Sequence, residues 1–162
     1  MPYLLKYPDI NGHRYSFASI EIDYAGLKIA GFKSINYSCS LEPGEMRGSS
    51  PIVLGRTRGN FSTDASCEMY RLEFDNLKER LAIIGAPFIQ GFMEVSFPII
   101  VTYAEVSALN VTVDVLEGVR IKKCDFSNSQ GNDASTVKLD LSLMNVVLNG
   151  VRPVSQPFPI GI

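Results

Sequence analysis

One histidine serves the whole chain: His13, set beside an Asn11-Gly12 turn. An imidazole in that setting belongs on a surface, so the commonest general base near neutral pH has no evident task. Serine and cysteine nucleophiles need a positioned base, and none of Cys39, Cys67 and Cys124 has one nearby in sequence. The GxSxG pattern is absent. Residues 44–50, GEMRGSS, carry glycines and serines but lack the Gly-Lys-Ser/Thr of a phosphate loop. Glu21 and Asp23 share one face of an extended segment, roughly 6.5–7 Å apart, which fits paired-carboxylate glycoside hydrolysis. Spacing alone assigns no activity. With nucleophile, base and oxyanion donors unfilled, the expectation is a protein that is not an enzyme and holds no cofactor. Three cysteines with no CxxC, beside a single histidine, argue against a metal site. Cys39, Cys67 and Cys124 are read as free thiols or as thiols that crosslink subunits.

At 162 residues, 46% hydrophobic and 20% charged, the chain reads as one globular domain, 1–162. A chain of this size buries roughly 68–70% of its unfolded surface, enough for a core without disulfides or metals. Net charge is −2 with no basic run. That is a poor footprint for a protein that grips nucleic acid and is compatible with a surface that nucleic acid slides past. No apolar run reaches the roughly 20 residues of a membrane span. The start, MPYLLKYPDINGHRY, lacks the marks of a signal peptide, so the sequons at Asn36, Asn60 and Asn110 are expected to be chance matches.

The elements that would position any site are mostly strands. Ile20, Ile22 and Tyr24 alternate with Ser19, Glu21 and Asp23. Leu27, Ile29, Ile35, Tyr37, Cys39 and Leu41 continue on one parity as a strand of about 15 residues, bent at Gly31. Residues 60–66 predict a brief polar strand. Tyr70, Phe74, Leu77, Leu81 and Ile84 recur at helical spacing, predicting one packing helix over 68–84, capped by Asp64 or Ser66 and stopped by Gly85 and Pro87. Alternation resumes from Met93 to Tyr103 and from Leu109 to Val115, with a turn expected at Glu117-Gly118. A strand at 119–126, a polar loop at 127–135 and alternation over 137–144 follow. The fold class is mainly β: an antiparallel sandwich or barrel with one packing helix.

Two stretches break this pattern. Residues 41–59, LEPGEMRGSSPIVLGRTRG, form an arm too long for a hairpin turn. Its knot of Pro51, Ile52, Val53 and Leu54 is flanked by Arg47, Arg56 and Arg58, a pattern that fits a partner-binding device. The tail, 150–162, has three prolines yet is too apolar for a solvated end, and is expected to lie extended against its own domain or a neighbour.

The strand ending in INYSCSLEPGE, the arm closing with VLGRTRGNFSTDASCEM, one helix and further strands resemble the layout of bacteriophage tail tube proteins, particularly those of contractile tails. Those are similar in fold to the tube proteins of type VI secretion systems and tailocins. The resemblance implies six copies in a ring, inner strands joined into one barrel, and rings stacked into a tube that conducts DNA without sequence-specific binding. It implies that the arm, through Arg47, Ile52, Val53, Leu54, Arg56 and Arg58, contacts the adjacent ring. Glu21, Asp23, Ser34, Asn36, Ser38, Glu94 and Ser96 become candidates to line the lumen. Implied partners are copies of the chain itself, tail sheath, baseplate and tail terminator; the implied setting is a virion tail assembled in the host cytoplasm. A tailocin or secretion tube, and a β-sandwich module binding a sugar or small ligand, remain as alternatives.

Overall fold

The computed structural model describes residues 20–103 and 111–154. The Asn11-Gly12 turn, His13 and tail residues 155–162 lie outside them. In chain order the elements are β1 (Ile20–Tyr24), β2 (Leu27–Ile29), β3 (Phe32–Glu42), β4 (Glu45–Met46), β5 (Gly55–Arg56), β6 (Asn60–Tyr70), α1 (Arg71–Gly85), a 3-10 turn (Ala86–Phe88), β7 (Phe97–Tyr103), β8 (Thr112–Ser127), β9 (Thr136–Ser142) and β10 (Asn145–Leu148).

All pairings are antiparallel, in the order β2-β1-β7-β8-β9-β6-β3, with β10 beside β8. The long strand β8 belongs to two sheets. Its first half sits between β7 and β10, forming sheet 1 with β1 and β2. Its second half pairs with β9, forming sheet 2 with β6 and β3. Ile22, Tyr24, Val101 and Leu116 from sheet 1, and Cys67, Met69, Leu139 and Leu141 from sheet 2, meet in one core. Phe74, Leu77 and Leu81 of α1 complete it, each burial stabilising by about 1.5–3 kcal/mol. Phe74 stacks edge-on against Phe92 and Phe126, at 6.3 and 5.6 Å.

Several boundaries differ from the sequence expectation, each for a tertiary reason. The helix begins at Arg71 because Glu68 and Met69 pair with both β3 and β9, and Tyr70 with Thr136 of β9. A two-sided ladder outweighs a helix's first turn, which fixes several residues for a single hydrogen bond. Asp64 and Ser66, expected as caps, are therefore mid-strand, and Tyr70 occupies the cap position without a side-chain bond. Tyr70 and Ile84, at the ends of the predicted stripe, are partly exposed. The single strand expected over 27–41 divides at Gly31 into β2 of sheet 1 and β3 of sheet 2. A Cβ on Gly31 would come within 2.7 Å of Glu73 Cγ on α1. The strand expected from Met93 starts at Phe97; Glu94 instead closes a turn, its Oε2 accepting from Gly91 N at 2.7 Å.

Glu117-Gly118 is not a turn. β8 runs through it as a 16-residue strand, with Gly118 at φ +66° and Met144 so close that a Cβ would meet its Cγ at 2.6 Å. The bulge reverses parity: Asp114 and Leu116 face the core before it, Val119 and Ile121 after it. A second irregularity between Ile121 and Lys123 reverses it again. Val113 and Val115 consequently stand half-buried on the outside of sheet 1, and Asp114 points inward.

Candidate functional site

Sheet 2 has one dry face and one wet face. Ala65, Cys67, Met69, Leu139 and Leu141 turn inward, so their neighbours turn out. The outward residues form rows across the four strands: Ser34, Glu68, Lys138 and Asp125; Asn36, Ser66, Asp140 and Lys123; Ser38, Asp64, Ser142 and Arg120. Every position in these rows is polar. The rows hold four acids and three bases, and the ion pairs on this face, such as Lys33–Glu68 at 3.3 Å and Lys123–Asp125 at 2.8 Å, are exposed ones that add little stability. A shallow open depression lies here, bordered by Asn36, Asp64, Ser66, Lys122 and Asp140.

Sheet 2 also has two long open edges. β3 pairs with β6 on one side, and among the described residues nothing pairs with its other side. β8 is flanked by β7 only as far as Val119, so, among the described residues, 120–127 pair with β9 alone. The sheet-1 margins, β2 with three residues and β10 with four, are short. Long unpaired edges are templates for further strands.

Beyond the last β6–β9 pair, Asp64 with Ser142, β3 and β6 continue as a two-stranded ribbon. It carries the arm, which is structured: β4 pairs with β5, and Thr57 N donates to Gly44 O at 2.9 Å. Gly59, at φ +80°, turns where a Cβ would run into the Glu42 carbonyl. By strand rise the projection from Thr63 to Gly55 is roughly 25 Å. At its tip Ile52 and Leu54 are 71% and 70% exposed, and Met46 joins them. Val53 is half-buried, Arg47 forks onto Glu45 at 2.7 and 3.2 Å, and Arg56 and Arg58 are exposed.

The two sheets are tied at the root of the ribbon. The Tyr37 hydroxyl of β3 donates to the Asp114 carboxylate of β8 and lies 2.7 Å from the Tyr103 hydroxyl of β7. Asn149 N donates to the other Asp114 oxygen at 3.1 Å. Burial first, then the bond to Asp114, pushes the Tyr37 hydroxyl far above its usual range, so it stays a donor. Asp114 is the buried acid among the described residues, and sequence alternation hid it by assigning its valine neighbours to the core.

The lumen candidates named from sequence separate. Ser34, Asn36 and Ser38 share the wet face of sheet 2. Glu21 and Asp23 lie on the outside of sheet 1, Glu21 with Lys28 at 3.3 Å, and Glu94 and Ser96 precede β7. Cys67 is buried, and burial pushes its thiol up to about 12, partly offset by the Tyr24 hydroxyl beside it. That hydroxyl is itself buried without a partner of hydrogen-bond geometry among the described residues. Cys39 and Cys124 lie on the open edges, β3 and β8. Sequence reasoning passed over Phe88 and Ile89, an apolar projection just past α1, where Ile89 is 95% exposed at φ 55°. The breakers Pro87 and Gly91 around two large apolar residues were the available signal. Among the described residues no cluster of His, Cys, Asp or Glu could hold a metal, and no helix is long and apolar enough to cross a membrane.

No protein-family model and no curated protein sequence matches this chain. Solved structures do. A chain of the PVC sheath–tube complex of an extracellular contractile injection system, in its extended state, superposes with a TM-score of 0.62 at 14% identity, over 91% of this chain and 95% of that one. The SPP1 tail tube gives 0.59 at 12% identity, over 88% of each chain. A chain of the anti-feeding prophage tube-terminating cap gives 0.59 at 10% identity, over 90% and 97%. The fold is that of tail tube proteins. At these identities the likeness establishes the fold alone, over 88–91% of the chain.

Proposed function

We propose that the chain is a structural, non-catalytic tube subunit, and specifically one of a phage tail tube. Copies join edge to edge through sheet 2, and rings stack through the arm. The observation that carries this reading is the pairing of two open edges with an all-polar outer face on the same four strands. Because β3, β6, β9 and β8 alternate in direction, a rotated copy presents its β3 antiparallel to β8, and the sheet continues without a change of pattern. Six copies give about twenty-four strands, a barrel roughly 45–50 Å across the backbone at ordinary strand spacing and tilt. Its bore is the polar face, with Ser34, Asn36 and Ser38 among its lining. With four acids against three bases in its rows, that face has no surplus of cations, which supports transit of DNA without retention, since phosphate binding needs such a surplus.

The arm residues Arg47, Ile52, Val53, Leu54, Arg56 and Arg58 reach the next ring. Phe88 and Ile89, past the helix that covers the dry side of sheet 2, offer an outer contact for a sheath. Baseplate and terminator proteins would close the two ends, placing the chain in an extracellular tail-like particle. Electron microscopy of the concentrated protein tests this: rings or tubes are expected. A chain that stays monomeric at every concentration, with or without other tail components, would sink the proposal.

A further inference from the structure

We propose a specific register for the seam between copies, resting on the edge-to-edge reading above: Cys124 of one copy faces Cys39 of the next. Within one copy, Cys124, Leu139, Cys67 and Ile35 stand in a single row across sheet 2. A closed barrel cannot continue that row on the level. Strands tilted 35–45° force the register to advance by roughly one to one and a half residues per strand, given a rise of about 3.3 Å and a spacing of about 4.8 Å. Over the four strands of a copy the advance is about four to six residues, and it must be even to keep dry side chains on the dry face.

Three observations select four, in one direction. An advance of four toward the arm sets β8 residues 120–127 against residues 36–42 of the next β3, which ends at Glu42. An advance of six sets Ile121 against Pro43, outside the strand and without an N–H to donate. An advance the other way runs off the start of β3 at Phe32 and leaves most of both edges bare. The selected register also matches chemistry that played no part in choosing it. On the dry side Ile121 meets Leu41, Cys124 meets Cys39 and Phe126 meets Tyr37; on the wet side Arg120 meets Glu42. Leu41 and Phe126, 47% and 50% exposed in the lone chain, become covered. Cys39, exposed at present on the inward parity of β3, likewise gains a neighbour.

Directly opposed residues in antiparallel strands have Cα atoms about 4.5–5.5 Å apart, within disulfide range, whereas diagonal neighbours are about 7–8 Å apart and largely outside it. Oxidised glutathione therefore reads the register. One seam thiolate attacks it, releasing one glutathione; the facing thiolate displaces the second, so two thiol protons end on two glutathione thiols as one S–S bond forms across the seam. Burial raises the Cys124 thiol, so the reaction is run at mildly alkaline pH.

With rings verified by microscopy in the same sample, a non-reducing gel should show a ladder of covalent oligomers that dithiothreitol collapses. Cys39→Ser or Cys124→Ser alone should abolish the ladder. In a Cys39→Ser/Cys124→Ser background, the exposed pair Asp125→Cys with Ser38→Cys should crosslink on the order of tenfold faster than Asp125→Cys with Ser40→Cys, which is displaced by two residues. Rings without a ladder, or faster crosslinking of the displaced pair, overturn the register while leaving the tube reading intact. Absence of rings overturns both.

Discussion

The two halves of this β structure finish their margins in opposite ways. Sheet 1 ends in strands of three and four residues and keeps half-buried Ile100, Val113, Val115 and Val147 on its outer side. Sheet 2 ends in an eleven-residue strand and in the long free half of β8, and its outer rows are wholly polar. Both share one core and one antiparallel pattern, so folding of the single chain does not account for the difference. Short margins terminate a sheet, while long open ones invite continuation and are a liability in a solitary protein. On the assembly proposed above, sheet 2 is shaped by what lies beyond the single chain, and sheet 1 by the chain itself.

The largest effect is expected from Leu41→Asp. The residue is half-exposed in the lone chain, so the fold should persist with little change in Tm. At the seam it would bury an unpaired carboxylate, at several kcal/mol per contact. Rings and tubes should vanish from micrographs; normal tubes would erase the distinction drawn between the two sheets. Replacing Ile52, Val53 and Leu54 together with serine should act on stacking alone, leaving discs that do not elongate. Unimpaired tubes from that variant would remove the arm as the stacking element.

Smaller effects concern the tie between the halves. Tyr37→Phe deprives buried Asp114 of a donor and should lower the free energy of unfolding by about 1–3 kcal/mol in a denaturant titration. No change would mean the sheets are joined by packing alone. The slightest effect is a slope. The Cys67 thiol holds its proton to about 12 in the fold, against 9.0 when exposed. Between those values the unfolded chain binds fewer protons than the folded one. Stability is therefore full below about pH 9 and falls as pH rises toward 12, by at most about 1.4 kcal/mol per pH unit from this group. Cys67→Ala should flatten the slope without removing it, since burial, the largest cause, still raises Tyr24 in the variant. An unchanged slope would show that water reaches the dry face of sheet 2.

Much of this was legible beforehand, and the gaps have physical causes. Alternation at Ile22–Tyr24 and Val137–Leu141 names core residues because a paired strand puts every second side chain inward. The stripe of Phe74, Leu77 and Leu81 names the buried helix face for the equivalent reason at period 3.6. The arm was visible as a stretch too long and too apolar to be idle. Asp114 and the half-buried Val113 and Val115 were misplaced because Gly118 permits a bulge as readily as a turn. Which occurs depends on whether Met144 and β9 lie alongside, and local sequence does not carry that.

By itself, then, the sequence determined the mainly β class, the single packing helix and the arm, because each follows from side-chain type and spacing along one segment. Only the tertiary structure decided that 27–41 divides between two sheets, that β8 belongs to both, and that Ser34, Asn36 and Ser38 share a face from which Glu21 and Glu94 are excluded. It alone revealed the two open edges. An edge is defined by the partner a strand lacks, and that is a property of the assembled sheet rather than of any segment within it.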